Sequence, residues 1–204
     1  MLHHKLIRAT AFVLACIGAT LIAPATPRAD DAMPAGVKGE VMMWIKDAQG
    51  KLEQLAEAMP EGKYSWRPGK GVRSVGEVYM HVAAANLGIP TVCGVQAPAG
   101  FPGVEAYEKS LTKKADIEKA LKDSFAHMEQ AWVGFSDADL EKPVDLFGTK
   151  TTVRGAYLLL LSHCHEHLGQ SIAYARMNGV VPPWTAKQQA AMKEATEKAK
   201  VGKK

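Results

Sequence analysis

Apolar residues return at three- and four-residue steps in four long, separate stretches of this 204-residue chain, and no other feature restricts its fold as tightly. Stripes of that period bury themselves only against other helices, so the pattern predicts an all-α bundle. The first stripe runs from about Val37 to Ala58 through Val41, Ile45, Leu52, Leu55 and Ala56, and Pro60-Glu61-Gly62 ends it. Ser74 and Glu77 form a Ser-x-x-Glu capping box that starts the second helix, which is expected to stop near Leu87. Residues Gly88 to Gly103 hold four glycines and three prolines, predicting a long connection.

The third helix is expected from about Lys113 to Phe135, with Ile117, Leu121, Phe125, Met128, Trp132 and Phe135 on one face, and Ser136-Asp137-Ala138-Asp139 breaks it. Met42, Met43, Met80 and Met128 look like core filler. β-Branched residues around Gly148 in PVDLFGTKTTV fit a two-stranded ribbon. Thr151 or Thr152 then caps the fourth helix, Val153 to Met177, whose continuous apolar run Tyr157 to Leu161 places it centrally. Asn178-Gly179 and Pro182-Pro183 stop it, and Thr185 caps a polar, solvated helical tail.

The start of the chain carries a different signal. Lys5 and Arg8 precede an uninterrupted small or apolar run, Ala9 to Ala23, and Ala23-Pro24-Ala25 offers a small-residue cleavage site. The expected organisation is a signal peptide at 1–25, a flexible mature N-terminus at 26–36, the bundle at 37–184 and the tail at 185–204. The protein is therefore expected to be exported, to the periplasm or outside the cell. The run is shorter than the roughly 18 apolar residues of a membrane span, although an uncleaved anchor is the alternative. Cys16 after Val13-Leu14-Ala15 weakly resembles a lipobox, but the residues after it stay apolar. Beyond the leader only Cys93 and Cys164 are left, as a disulfide or as two separate thiols. The formal charge is +4, and two of the basic side chains fall in the leader, so an electrostatic footprint for nucleic acid is missing.

Histidine carries the chemistry. His163 and His167 stand four apart on the fourth helix, with Cβ atoms about 6 Å apart on one face, a spacing that can chelate a divalent metal. Seven histidines placed at random would give roughly 0.2 such pairs, so the spacing alone says little. Context adds weight, because two neutral imidazoles on a buried face need partners for both ring nitrogens. A metal meets that need; backbone carbonyls or water are the alternative. His81 shares the inward face of the second helix with Val78, Val82 and Ala85, and neighbouring bundle helices lie about 8–10 Å apart, close enough for the three rings to share an ion. Three nitrogen ligands leave open coordination positions, as in catalytic zinc. Zn is the first choice, although imidazole also suits Ni, Fe or Cu. His165 and Cys164 fall off the ligand face. Glu166, Tyr157 and Tyr174 are the nearby candidates for a general acid or base, and Gln170 is a candidate contact to a bound ligand. Trp66 and Arg67 line a pocket mouth or pin the end of the bundle.

The segments YSWRPGKGVRSVGEVYMHVAAAN and LSHCHEHLGQSIAYARMNGVVPPW together resemble the DinB-like superfamily of metal-binding four-helix bundles. The resemblance spans roughly Val37 to Trp184 and rests on His81, the His163/His167 pair, Gly169-Gln170, Arg176 and the Gly179 to Pro183 turn. Leu168 departs from it, standing where many members have a basic residue. It implies an up-down-down-up bundle and no contact with DNA. Related bundles often pair, though nothing in these residues fixes a homodimer. Characterised relatives include thiol-dependent transferases and isomerases in which a divalent metal activates a small thiol. Those thiols belong to a reducing cytosol, which an exported chain would seldom meet. The expectation is a metal-dependent transferase or hydrolase acting on a small molecule, with a noncatalytic metal- or ligand-binding module of the cell envelope as the alternative.

Overall fold

Ser74 and Thr152 set the starts of the two helices that carry the three histidines. The computed structural model describes residues 36–201; the signal segment expected at 1–25 lies outside the described residues, as does all but the last residue of the segment expected at 26–36. The helices are α1 (Gly36–Ala58), α2 (Val75–Val92), α3 (Val104–Glu108), α4 (Lys114–Gly134), α5 (Asp137–Leu140), α6 (Val153–Met177) and α7 (Pro183–Val201), with strands β1 (Pro143–Leu146) and β2 (Thr149–Thr152) before α6. Ser74 accepts from the Glu77 amide while Glu77 accepts from the Ser74 amide, so the expected capping box is complete. Thr152 accepts from the Gly155 amide and is the cap of α6.

The long helices α1, α2, α4 and α6 form the bundle. Its directions follow from contacts between named ends. The Trp132 indole donates to the Lys38 carbonyl (2.9 Å), and Lys114 donates to the carbonyls of Glu57 (2.7 Å) and Met59 (2.9 Å), so α1 and α4 are antiparallel. Gly76 lies against Ile117, and Asn86 donates to Ser124 (3.2 Å), so α2 and α4 run parallel. The Tyr174 hydroxyl donates to the Arg73 carbonyl (3.2 Å), and Cys164 Sγ lies 3.8 Å from Asn86 Oδ1, so α2 and α6 are antiparallel. The result is the up-down-down-up order. α1 and α2 each pack against both α4 and α6 and sit diagonally across a core that includes Ile45, Leu52, Met80, Phe125, Trp132, Tyr157 and Leu160.

Three expectations need correcting. The second helix passes Leu87 and continues to Val92 through Gly88 and Pro90, because Gly88, Ile89 and Pro90 are buried and tertiary packing outweighs their low helix propensity. Thr91 Oγ1 donates to the Gly88 carbonyl (2.6 Å), and the Cys93 amide closes the last turn on the Pro90 carbonyl (3.0 Å). Gly88 also has a packing reason: a Cβ there would stand 2.3 Å from Val104 Cγ2, so its absence lets α3 lie close on α2. The tail helix starts at Pro183, two residues before the expected Thr185 cap, since proline suits a first turn whose N–H groups have no helical partner. Met43 is exposed and Met42 only half-buried, whereas Met80 and Met128 do fill the core.

The remaining elements are small. Ser136 ends α4 and with Asp139 caps α5, so the predicted break is itself one helical turn. The ribbon forms as expected, pairing Pro143 with Thr152 and Leu146 with Thr149 around Phe147 and Gly148, both at positive φ. Cys93 and Cys164 are both free; burial pushes their thiols up, to about 11 and about 12. Among the described residues no helix is long and apolar enough to cross a membrane. Ser74→Ala removes one half of the α2 capping box and is expected to destabilise the fold by about 1 kcal/mol, measured as a lower urea midpoint with an unchanged slope.

Candidate metal centre

The antiparallel packing of α2 on α6 brings the three histidines together. His81 from α2 meets His163 and His167 from consecutive turns of α6, with ring centroids 4.9 Å (His81 to His163), 4.7 Å (His81 to His167) and 4.4 Å (His163 to His167) apart. One nitrogen of each ring lies within 4.8 Å of the other two, an arrangement that could hold a metal ion. His81 Nε2 and His163 Nε2 are 3.0 Å apart. Two donors each about 2.0–2.1 Å from one cation stand roughly 2.9–3.4 Å apart for angles between a right angle and the tetrahedral value, so this pair fits a shared ion.

The donors also carry the right charge. Burial, reinforced by the positive potential of His167, His81 and Arg73, pushes the His163 imidazole down to about 3. Burial likewise lowers His167, against the opposing hydrogen bond to Gln170. Both rings are therefore neutral at ordinary pH, each with a nitrogen lone pair available to a Lewis acid. His163 Nδ1 is buried and has no hydrogen-bond partner among the described residues.

Around the rings lies a second layer of contacts. His81 Nδ1 donates to Glu108 Oε2 (2.8 Å), and the Arg73 guanidinium donates to the same carboxylate. Burial works against the Glu108 carboxylate, but these two donors outweigh it and hold its pKa below the usual range. On the other side His167 Nδ1 donates to Gln170 Oε1 (2.8 Å), Gln170 Nε2 donates to the Tyr174 hydroxyl (2.9 Å), and that hydroxyl donates to the Arg73 carbonyl.

The other predicted residues are placed as follows. Gln170 has its amide between His167 and Tyr174. The Tyr174 hydroxyl accepts from Gln170 and gives its proton to the Arg73 carbonyl. Tyr157 is fully buried against Trp132, its hydroxyl directed to the Met128 carbonyl of α4 (3.5 Å). Glu166 and His165 are exposed on the outside of α6, and Cys164 packs in the core beside Asn86. Trp66 lies edge-on to Tyr174 with centroids 5.4 Å apart, and Arg67 pairs with Glu77 (3.0 Å) at the end of the bundle. Sequence reasoning passed over Glu108 and the side chain of Arg73. Glu108 lies in a five-residue helix with no periodic signal, and the one available clue was chemical: an inward histidine at position 81 needs an acceptor for its second nitrogen.

Comparison with known proteins agrees with this architecture. A family model described as the DinB superfamily matches residues 45–171. A DinB-like protein from Bacillus cereus has a TM-score of 0.63 at 18% identity, covering 74% of this chain and 98% of that one. The DinB-like protein YjoA from Bacillus subtilis has a TM-score of 0.55 at 19% identity, covering 69% and 92%. YfiT from Bacillus subtilis, whose structure is described as that of a probable metal-dependent hydrolase with an unusual four-helix bundle topology, has a TM-score of 0.58 at 16% identity, covering 78% and 96%. No curated protein matches this chain. At these identities the solved structures establish the fold, and the family model, spanning the bundle from α1 into α6, establishes that the chain belongs to the DinB superfamily.

Proposed function

We propose that the protein binds one divalent cation, zinc in the first instance, through His81, His163 and His167, and is a metal-dependent hydrolase of a small molecule. The observation that carries this reading is the convergence of three imidazole nitrogens within 4.8 Å, with no fourth histidine, cysteine or carboxylate in the group among the described residues. A structural zinc is closed by four protein ligands, whereas three leave room for water and substrate. A cation in that position supplies Lewis-acid polarisation and a nucleophile drawn from water at neutral pH. The neutral His163 and His167 rings carry no net charge that would have to be lost before a cation binds. Glu108 holds the second nitrogen of His81, and Gln170 that of His167, so both rings are fixed in orientation.

Hydrolysis is favoured over thiol-dependent transfer by the leader-like pattern at 1–25, which supports export to a compartment where small thiols are scarce. The name of the YfiT neighbour points the same way. A second reading, a noncatalytic metal- or ligand-binding module, is favoured by one observation: Tyr157, Tyr174 and Glu108 all have their polar atoms engaged, and Glu166 lies outside the group, so none of these candidates stands free beside the rings as an acid or base.

Metal analysis of purified protein is expected to find one divalent cation per chain in the wild type and almost none in His163→Ala, with an unchanged far-UV spectrum. Equal metal content in both removes the three-histidine reading. The loaded wild type should also melt higher than the variant, by the equivalent of about 2.7 kcal/mol at free metal of about 100 Kd. Chelated and zinc-reloaded wild type, assayed on small esters, amides and phosphoesters, separates the two classes. Turnover that returns with zinc and is lost in His163→Ala supports the hydrolase, and a fully loaded protein without turnover on any of them supports the binding module.

A further inference from the structure

Both hydrogen-bonded arms around the histidines end on the same residue, Arg73, which stands immediately before the Ser74 cap of α2. They end on groups of opposite character. The guanidinium can only donate and a backbone carbonyl can only accept, so neither end can reverse its role.

The consequence propagates along each arm. Because the Arg73 carbonyl accepts, the Tyr174 hydroxyl must donate to it; its oxygen then accepts from Gln170 Nε2, which turns Gln170 Oε1 toward His167 and leaves His167 Nδ1 as the donor. On the other arm the ionised Glu108 has only acceptor oxygens, occupied by Arg73 and His81, so His81 Nδ1 must carry its proton. Both rings are left with a bare Nε2. His81 Nε2 and His163 Nε2 lie 3.0 Å apart, and two bare lone pairs would repel at that distance, so His163 donates there from Nε2. Its Nδ1 becomes an acceptor with nothing to accept from, which accounts for the buried nitrogen that has no partner.

We propose that Glu108 on one arm and Tyr174–Gln170 on the other, both anchored on Arg73, are positioning residues that lock His81 and His167 as Nδ1–H tautomers before any cation arrives, while His163 alone carries its proton on Nε2. A cation that takes a lone pair from all three rings then requires one rearrangement, transfer of the His163 proton from Nε2 to Nδ1, with that ring neutral before and after. The effect on affinity rests on the three-histidine reading above; the tautomers do not.

The test is long-range proton–nitrogen correlation NMR of the metal-free full chain at about pH 8, where imidazoles are neutral. The expected result is Nδ1–H at His81 and His167 and Nε2–H at His163. Tyr174→Phe should release His167 alone into a tautomer mixture. Glu108→Ala should release His81 alone, since it removes the acceptor at Nδ1 while the Arg73 carbonyl still anchors Tyr174. Wild-type protein with Nε2–H at His167 or at His81 overturns the proposal without recourse to any variant, and so does a Tyr174→Phe spectrum in which His167 is unchanged. With Zn²⁺ added, His163 should switch to Nδ1–H, and each variant should bind zinc about 10–100-fold more weakly than wild type. If zinc fails to bind while the metal-free tautomers are as expected, the metal reading falls and the tautomer assignment stands; a zinc-loaded His163 still protonated at Nε2 overturns the switch.

Discussion

Three imidazoles packed within 5 Å of one another create a constraint that the surrounding structure has to answer, since each ring brings two nitrogens into a space with little water. Six nitrogens must be matched with donors, acceptors or an ion. The bundle direction, the crossover between α2 and α4, and the residues at the end of α6 can all be read as answers. α2 runs against α6, which sets His81 beside the pair on α6. The end of α6 provides Gln170 and Tyr174 one and two turns beyond His167 on the same side.

The parallel course of α2 and α4 matters for a less obvious reason. Two parallel helices cannot be joined by a tight turn, so the chain must travel back along the bundle, and it does so through a Gly- and Pro-rich stretch that ends in α3. Gly88 lets that crossover lie close on α2, and the crossover brings Glu108 to His81. The topology thus supplies a carboxylate that none of the four long helices provides at that point.

Much of this was legible in the sequence because it depended on spacing. The stripes on α1, α4 and α6, the Ser74 box and the i,i+4 pair of histidines are all local patterns, and the fold and the three-ring convergence follow from them with the family resemblance. The parts that stayed hidden depend on burial or on contact between distant segments. Gly88 and Pro90 read as breakers, yet the core on one side and α3 on the other keep them helical. Glu108 lies 27 residues from the ring it holds, in a helix too short to have a period. Met43 matched a core residue type, but its position on α1 faces outward.

The crossover has a further consequence for how such a protein can diversify. Its α3 turn supplies the carboxylate while α2 and α6 supply the rings, so chain length and composition can drift in the connecting segment with the imidazole frame preserved. A descendant that shortens or rebuilds this one loop would inherit the same three nitrogens under a different electrostatic partner on an unaltered scaffold.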